Sequence, residues 1–148
     1  MKHTFRFLLL IFLIHSCAGT HGYIQRYQFS TSKDILEQAI RSVLKNNTGF
    51  LQPDQITKNT DDSGYMTIFI KLEGDKYGYR IRYYGDEEHW KESKSSEIFI
   101  ASARVNGIGG INSNESMTEE LKAKLLRVFE EHFIDLVIHE LKLRSTTD

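Results

Sequence analysis

The chain has 148 residues, of which 26% are charged and 40% hydrophobic, and its formal net charge is −1. This length fits one domain, and the composition is that of a soluble globular protein rather than a disordered chain. Without the first sixteen residues, Lys plus Arg falls from 19 to 17 against 20 acidic residues, a net charge of −3. Because non-specific nucleic-acid binding requires a basic surface, no nucleic-acid partner is expected.

The N-terminal segment has the three-part organisation of an export signal. A basic region that contains Lys2 and Arg6 precedes eight uninterrupted apolar residues, from Phe7 to Ile14, and small residues follow. This order is typical of a secretory signal peptide. The apolar run is too short to cross a bilayer as a helix, which takes about 20 residues. We therefore predict that residues 1–16 are a signal peptide rather than a buried core segment.

The end of this segment, Ile14-His15-Ser16-Cys17, resembles the lipobox of bacterial lipoproteins. An aliphatic residue lies three positions before the cysteine, and a small residue lies just before it. The resemblance implies that a diacylglycerol is joined to the sulfur of Cys17, that a dedicated signal peptidase cuts before it, and that the new amine is acylated. Cys17 is also the only cysteine; it cannot form an internal disulfide, and acylation accounts for its presence.

The residue after the cysteine bears on where the protein resides. In lipoproteins this residue influences which membrane receives the chain. Ala18 in place of Asp implies an outer-membrane protein that faces the periplasm in an organism with two membranes. A second hypothesis stays open, because Ser16-Cys17-Ala18 also fits the small-x-small pattern of ordinary secretory cleavage. That cleavage would release a soluble protein beginning at Gly19.

The folded part is predicted to begin with a strand and a helix. Residues 17–22 are small and polar and form a short lipidated tether, and a single domain is predicted over residues 23–144. Aromatic residues and loose alternation over residues 23–29 predict an edge strand. Thr31 or Ser32 can cap the following helix. Its apolar stripe consists of Ile35, Leu36, Ala39, Ile40, Val43 and Leu44.

A long connection, a hairpin and a third strand follow. Residues 48–64 are rich in Asn, Asp, Thr and Gly, which predicts a mobile loop. Alternating apolar residues over 65–72 and 79–84 flank the turn Glu73-Gly74-Asp75-Lys76 and predict a β-hairpin. A third strand is predicted over residues 97–105.

The last predicted element is a long amphipathic helix. Ser116 and Glu119 have the spacing of a capping box. The main apolar stripe consists of Leu121, Leu125, Val128, Phe129, Leu136 and Val137. The preceding Gly107-Ile108-Gly109-Gly110 lacks the Lys and Ser/Thr of a phosphate-binding loop and is interpreted as a flexible connection. The order β-α-β-β-β-α predicts an α+β fold, with an antiparallel sheet of three to four strands and two helices packed on one face.

The segment from Lys76 to Trp90 interleaves aromatic and charged residues and is the candidate ligand surface. In this interpretation Tyr84 and Trp90 are stacking platforms, and Arg80 and Arg82 hold anionic groups. The expected partner is a protein, peptide or saccharide of the cell envelope.

The alternative interpretation of this segment is structural. Because strands are enriched in tyrosine, Tyr79 and Tyr83 are then core residues. Arg80 and Arg82 then face solvent and pair with the acidic residues that follow, namely Asp86, Glu87 and Glu88. Composition favours this alternative over a ligand surface.

No catalytic residue, metal site or cofactor is predicted. His132 and His139 are two helical turns apart, too far to chelate one ion. Asp61-Asp62 and Glu87-Glu88 are interpreted as solvated turn residues rather than as an acid–base pair. The sequence therefore favours a lipid-anchored binding or scaffold module of the envelope. An envelope hydrolase and a freely secreted soluble protein remain as alternatives.

Overall fold

The computed structural model describes residues 22–50, 64–111 and 117–145. Several sequence predictions lie outside these ranges: the signal peptide, nearly all of the tether, most of the long connection, and the residues Cys17, Asp61, Asp62 and Ser116. In the described ranges, no helix combines the length and apolar character needed to cross a bilayer.

Five antiparallel strands and a layer of helices form an α+β fold in the described residues, which confirms the predicted fold class. The strands are β1 (Gln25–Phe29), β2 (Tyr65–Leu72), β3 (Asp75–Tyr83), β4 (Ser96–Val105) and β5 (Ile108–Ile111). The helices are α1 (Lys33–Asn46), α2 (Glu87–Glu92), α3 (Glu119–Phe129) and α4 (Asp135–Ser145). The strand order is β1-β4-β3-β2, and β5 pairs with the part of β4 beyond β1.

Helix α1 begins as the sequence predicts. The Ser32 hydroxyl accepts a hydrogen bond from the amide of Ile35 at 3.5 Å, so Ser32 is the N-cap. At the other end the side-chain amide of Asn47 donates to the carbonyl of Val43 at 2.8 Å. The buried stripe consists of Leu36, Ala39, Ile40, Val43 and Leu44.

The C-terminal helix differs from the prediction at its start and in its middle. The Thr118 hydroxyl accepts a hydrogen bond from the amide of Leu121 at 3.2 Å, so the helix begins at Glu119. The predicted capping box is therefore wrong, because Glu119 is the first helical residue rather than the third. A π-helical turn, Glu130–Ile134, joins α3 to α4. This turn accommodates one extra residue and keeps its apolar side chains in the core.

The β2–β3 hairpin has a shorter turn than predicted. Glu73 and Gly74 both have positive φ, 51° and 90°, as a two-residue type I′ turn requires. Asp75 and Lys76, which were predicted to lie in the turn, belong to β3 and pair with β2. The twist of a type I′ turn matches the twist of the paired strands, so the ladder extends to the turn itself.

Strand β5 corrects the interpretation of the glycine-rich segment. Ile108–Ile111 pairs with β4 after a turn at Asn106-Gly107, so this segment is not a flexible connection. A Cβ at Gly109 would lie 2.3 Å from the carbonyl oxygen of Ala103. Glycine at this position therefore lets the two strands approach each other.

Helix α2 was not predicted. The Asp86 carboxylate accepts a hydrogen bond from the amide of His89 at 2.9 Å and caps the helix. Glu87 and Glu88 consequently lie in a helical first turn, where negative charge is favourable, rather than in an irregular solvated turn.

Strand β4 contains a β-bulge at Ala101. Arg80 of β3 pairs with Ser102, and Ile81 pairs with Ile100, which leaves Ala101 without a pairing position in β3. Pairing with β1 stops at Ile100, and pairing with β5 starts at Ser102. The bulge thus lies where β4 changes its neighbour on the other side.

The core lies between the sheet and the long helices. Phe129 is fully buried at its centre, with ring centroids 4.7 Å from Tyr79, 5.7 Å from Tyr27 and 4.9 Å from Phe133. The Tyr79 hydroxyl donates to the carbonyl of Leu125 at 2.8 Å. The buried sheet residues facing the helices include Ile68, Ile70, Tyr77, Tyr79, Ile81, Tyr83, Ile98, Ile100, Ala103 and Val105.

Candidate functional site

The second face of the sheet, which we call the open face, carries the side chains that alternate with the core residues. Its cross-strand neighbours follow from the register, which places Tyr65 beside Arg82 and Phe69 beside Gly78. The aromatic and basic residues of the open face are Arg26, Tyr65, Phe69, Lys71, Lys76, Arg80, Arg82, Phe99 and Arg104. They come from four strands, so the sheet itself holds them in place.

Two of the predicted arginines lie against the ring of Tyr65. The guanidinium carbon of Arg80 lies 4.3 Å from the Tyr65 ring centroid, and that of Arg82 lies 5.4 Å from it. Phe99 supports the same ring edge-on, at a centroid distance of 6.4 Å. The ring face attracts each cation. Both arginines therefore lie against one aromatic platform, where their in-plane N–H donors can be directed at an anion.

Phe69 forms a second platform on the open face. The Lys76 ammonium lies 4.3 Å from its ring centroid, and the Arg104 guanidinium carbon lies 5.9 Å from it. Gly78 makes room for this arrangement, because a Cβ there would lie 3.1 Å from the Phe69 ring and 3.2 Å from Arg104. Glycine at position 78 thus gives Phe69 and Arg104 room to pack over β3.

Arg26 of β1 lies between two tyrosines at the β1 side of the open face. Its guanidinium carbon is 4.5 Å from the ring centroids of both Tyr23 and Tyr84. The guanidinium also pairs with Glu97 at 3.6 Å. Tyr84, one of the predicted stacking residues, is 42% exposed, so it remains accessible to a ligand.

Trp90 contacts Tyr84 but is not part of the open face. It belongs to α2, and its indole N–H donates to the carbonyl of Tyr84 at 2.8 Å. Its ring is half-buried against the core, with the Lys33 ammonium 5.2 Å from the ring centroid. Gly85, at φ 100°, allows this contact, because a Cβ there would lie 3.0 Å from the indole nitrogen. Trp90 therefore holds the turn after β3 and positions Tyr84.

The open face is basic although the whole chain is weakly acidic. Among the described strand residues, its cations are Arg26, Lys71, Lys76, Arg80, Arg82 and Arg104, and its acid is Glu97. Most acidic residues therefore lie elsewhere, including the first turns of α2 and α3. This segregation produces a positive potential over the sheet that overall composition conceals.

The sequence did not identify Tyr65, Phe69, Phe99 or Arg26 as part of this surface. One local signal was present, because two aromatic residues occupy polar positions of the alternating strand β2. Their role depends on which strands lie side by side, and the order β1-β4-β3-β2 is not encoded in any one segment.

A shallow depression of about 470 Å³ lies at the end of the predicted ligand segment. It is lined by Asp86, Glu88, His89, Lys91 and Glu92. All of these belong to α2 or its cap, whereas an active site brings groups together from several elements. In the described part of the chain, no group of three His, Cys, Asp or Glu side chains is arranged to hold a metal ion.

Comparison with known protein families, with curated proteins and with solved structures finds no match to this chain. The fold and the open face by themselves define an α+β domain with a basic, aromatic sheet surface.

Proposed function

We propose that this protein is a lipid-anchored module of the cell envelope that binds an anionic saccharide on the open face. The observation that carries the proposal is the repeated stacking of cations on aromatic rings, at Tyr65, at Phe69 and between Tyr23 and Tyr84. The anchor rests on the lipobox-like sequence that ends at Cys17.

The chemistry of the open face favours a chain of charged sugars. Guanidinium groups form strong, directed hydrogen bonds with carboxylates and phosphates. Aromatic side chains such as Tyr84 can pack on the apolar faces of sugar rings. The surface is broad and spread over four strands, unlike the enclosed pockets that hold small molecules. These features suit an extended polymer whose charges recur along its length.

Binding to the open face can be tested with a uronic acid polymer, with a neutral glucan of the same length for comparison. We expect calorimetry to detect binding to the uronic acid polymer, and we expect binding to weaken as salt is added. The double variant Arg80→Ala/Arg82→Ala removes two charge-assisted donors, each worth about 1.5–3 kcal/mol, so affinity should fall more than tenfold. Tyr65→Phe retains the ring and should bind like the unaltered protein.

Arg127→Ala is the matched control, because Arg127 is an exposed arginine on α3, away from the strands. It should leave the affinity unchanged. A loss of affinity per removed charge that is equal in Arg127→Ala and in the double variant would show that net charge, rather than the open face, determines binding. Equal binding of the neutral glucan would exclude an anionic saccharide as the ligand.

The anchor is tested separately by fatty-acid labelling and intact mass. We expect the unaltered chain to carry acyl mass on Cys17 and to sediment with membranes, and Cys17→Ser to lose the label. A mature protein beginning at Gly19 without acyl mass would instead establish the freely secreted alternative.

A further inference from the structure

A groove of about 790 Å³ lies between the edge of β1 and the helix layer. One wall is the chain from Arg26 to Thr31, and the other is formed by α1, the π-helical turn and α4. Its apolar lining consists of Phe29, Ile35, Ile134, Ile138 and Leu141. Ile35 is 45% exposed and Ile138 is 37% exposed. Large aliphatic side chains thus meet solvent beside the edge of the sheet.

Among the described strands, β1 is an edge strand of five residues. It pairs with β4 on one side, and the groove lies along its other side. The sequence of β1, Gln25–Phe29, contains neither proline nor lysine, which commonly block edge pairing. The carbonyl of Arg26 accepts a hydrogen bond from the side-chain amide of Gln25 at 3.1 Å, so an extended chain that pairs with β1 would replace this amide as the donor.

The geometry of a sheet fixes what such a chain would meet. An added strand lies about 4.8 Å from its neighbour, and its side chains alternate between the two faces. On one face they would enter the groove and contact Ile35 and Ile138. On the other face they would lie beside Arg26, at the margin of the open face.

The charge beside β1 favours acidic side chains at the positions of an added strand that lie on the open-face side. The Arg26 guanidinium lies on that side with the other cations of the open face, whereas Lys142 and Arg144 lie on the helix side of the groove. Arg144 also bonds to Glu140 at 3.1 Å. Antiparallel pairing of β1 with a second copy would bring two such basic margins together, which is unfavourable. Complementarity therefore favours a different chain over self-association.

We propose that the groove binds an extended peptide that adds a strand to β1, with apolar side chains facing the groove and acidic side chains at the intervening positions. This is strand addition, in which backbone hydrogen bonds provide affinity and alternate pockets provide specificity. The inference does not depend on saccharide binding, because the groove lies on the helix side of β1 and only Arg26 at the margin of the open face is shared.

The probe is a capped peptide of about six residues, a common strand length, in which valine and glutamate alternate. The control peptide has the same composition with its valines grouped together. We expect calorimetry to detect binding of the alternating peptide only, and we expect slower amide exchange in β1 when it is bound. Because a strand presents alternate amides to each edge, N-methylation on one edge of the peptide should abolish binding, and N-methylation on the other edge should not.

Ile138→Glu places a charge in the apolar groove and should weaken the peptide at least about tenfold. Leu143→Glu is its matched control, because Leu143 is 53% exposed on the same helix and is not a lining residue. It should leave affinity unchanged. Since neither substitution touches the open face, failure here is distinguishable from failure of saccharide binding.

Three outcomes would overturn the proposal. Equal binding of the grouped peptide would show that alternation is irrelevant. Concentration-dependent dimerisation in sedimentation experiments, without peptide binding, would identify a second copy as the occupant. Binding of a fatty acid that Ile138→Glu abolishes, again without peptide binding, would identify an acyl chain.

Discussion

Phe129 provides the most direct test of how the helix layer is attached to the sheet. Its side chain is fully buried and its ring contacts Tyr27, Tyr79 and Phe133. Phe129→Ala removes the shared ring and leaves a cavity that rigid neighbouring rings fill poorly. Substitutions of this kind cost about 3–5 kcal/mol, a large part of the roughly 5–15 kcal/mol that stabilises a typical domain.

Urea unfolding followed by circular dichroism measures this cost. With a denaturant slope of about 2 kcal/mol per molar urea, a loss of about 4 kcal/mol lowers the midpoint by about 2 M. Phe129→Leu retains most of the apolar volume and should lower the midpoint by less than half as much. A midpoint shift below about 0.5 M in Phe129→Ala would show that the sheet–helix interface does not depend on this cluster.

Two further predictions concern the tyrosines and a helix cap. Burial raises the pKa of both Tyr79 and Tyr83 above the ordinary value of 10.0. The unfolded chain therefore loses these protons first, so the stability that neutral tyrosines contribute is complete below pH 10 and decreases above it. The Tyr83 hydroxyl has no hydrogen-bond partner among the described residues. As the pH rises above 10, the urea midpoint should therefore fall less steeply in Tyr83→Phe than in the unaltered protein. The same dependence of the midpoint on pH in both proteins would contradict this. Thr118→Ala removes the cap of α3 and should lower the free energy of unfolding by about 1 kcal/mol in the same assay, whereas Ser116→Ala should leave it unchanged. A loss in Ser116→Ala but not in Thr118→Ala would support the predicted capping box instead.

The elements that the sequence predicted well are those with strong local periodicity. The stripe of α1 has a helical period, and β2 and β3 alternate on both sides of a glycine-containing turn. In both cases the side chains that decide the structure lie within one segment. Local pattern and tertiary packing agree there, so the sequence was sufficient to predict these elements, although not the length of the turn between β2 and β3.

The elements that the sequence missed depend on contacts between segments. The β5 segment, Ile108–Ile111, contains two glycines and has little intrinsic strand preference, and it becomes a strand because it pairs with β4. Helix α2 has six residues and none is buried, so it offers no apolar stripe. The capping-box spacing of Ser116 and Glu119 predicts a start at Ser116, whereas the hydroxyl that caps the helix is that of Thr118.

The candidate site was predictable only in part. The alternation of Arg80 and Arg82 along one strand places them on one face, which the sequence makes visible. Their platform, Tyr65, is fifteen residues earlier in the chain than Arg80 and becomes a neighbour through the hairpin register. Arg26 reaches the same face only because β1 pairs with β4. The indole N–H of Trp90 instead donates to the carbonyl of Tyr84, so this residue stabilises the turn after β3.

The bulge at Ala101 reverses the alternation of β4 partway along the strand. Before it, even-numbered residues such as Ile98 and Ile100 face the core, and after it the odd-numbered Ala103 and Val105 do. Deletion of Ala101 alone would therefore restore regular alternation and leave Ile98, Ile100, Ala103 and Val105 facing the core. A one-residue deletion elsewhere in β4 would instead exchange the faces of the residues between the deletion and the bulge.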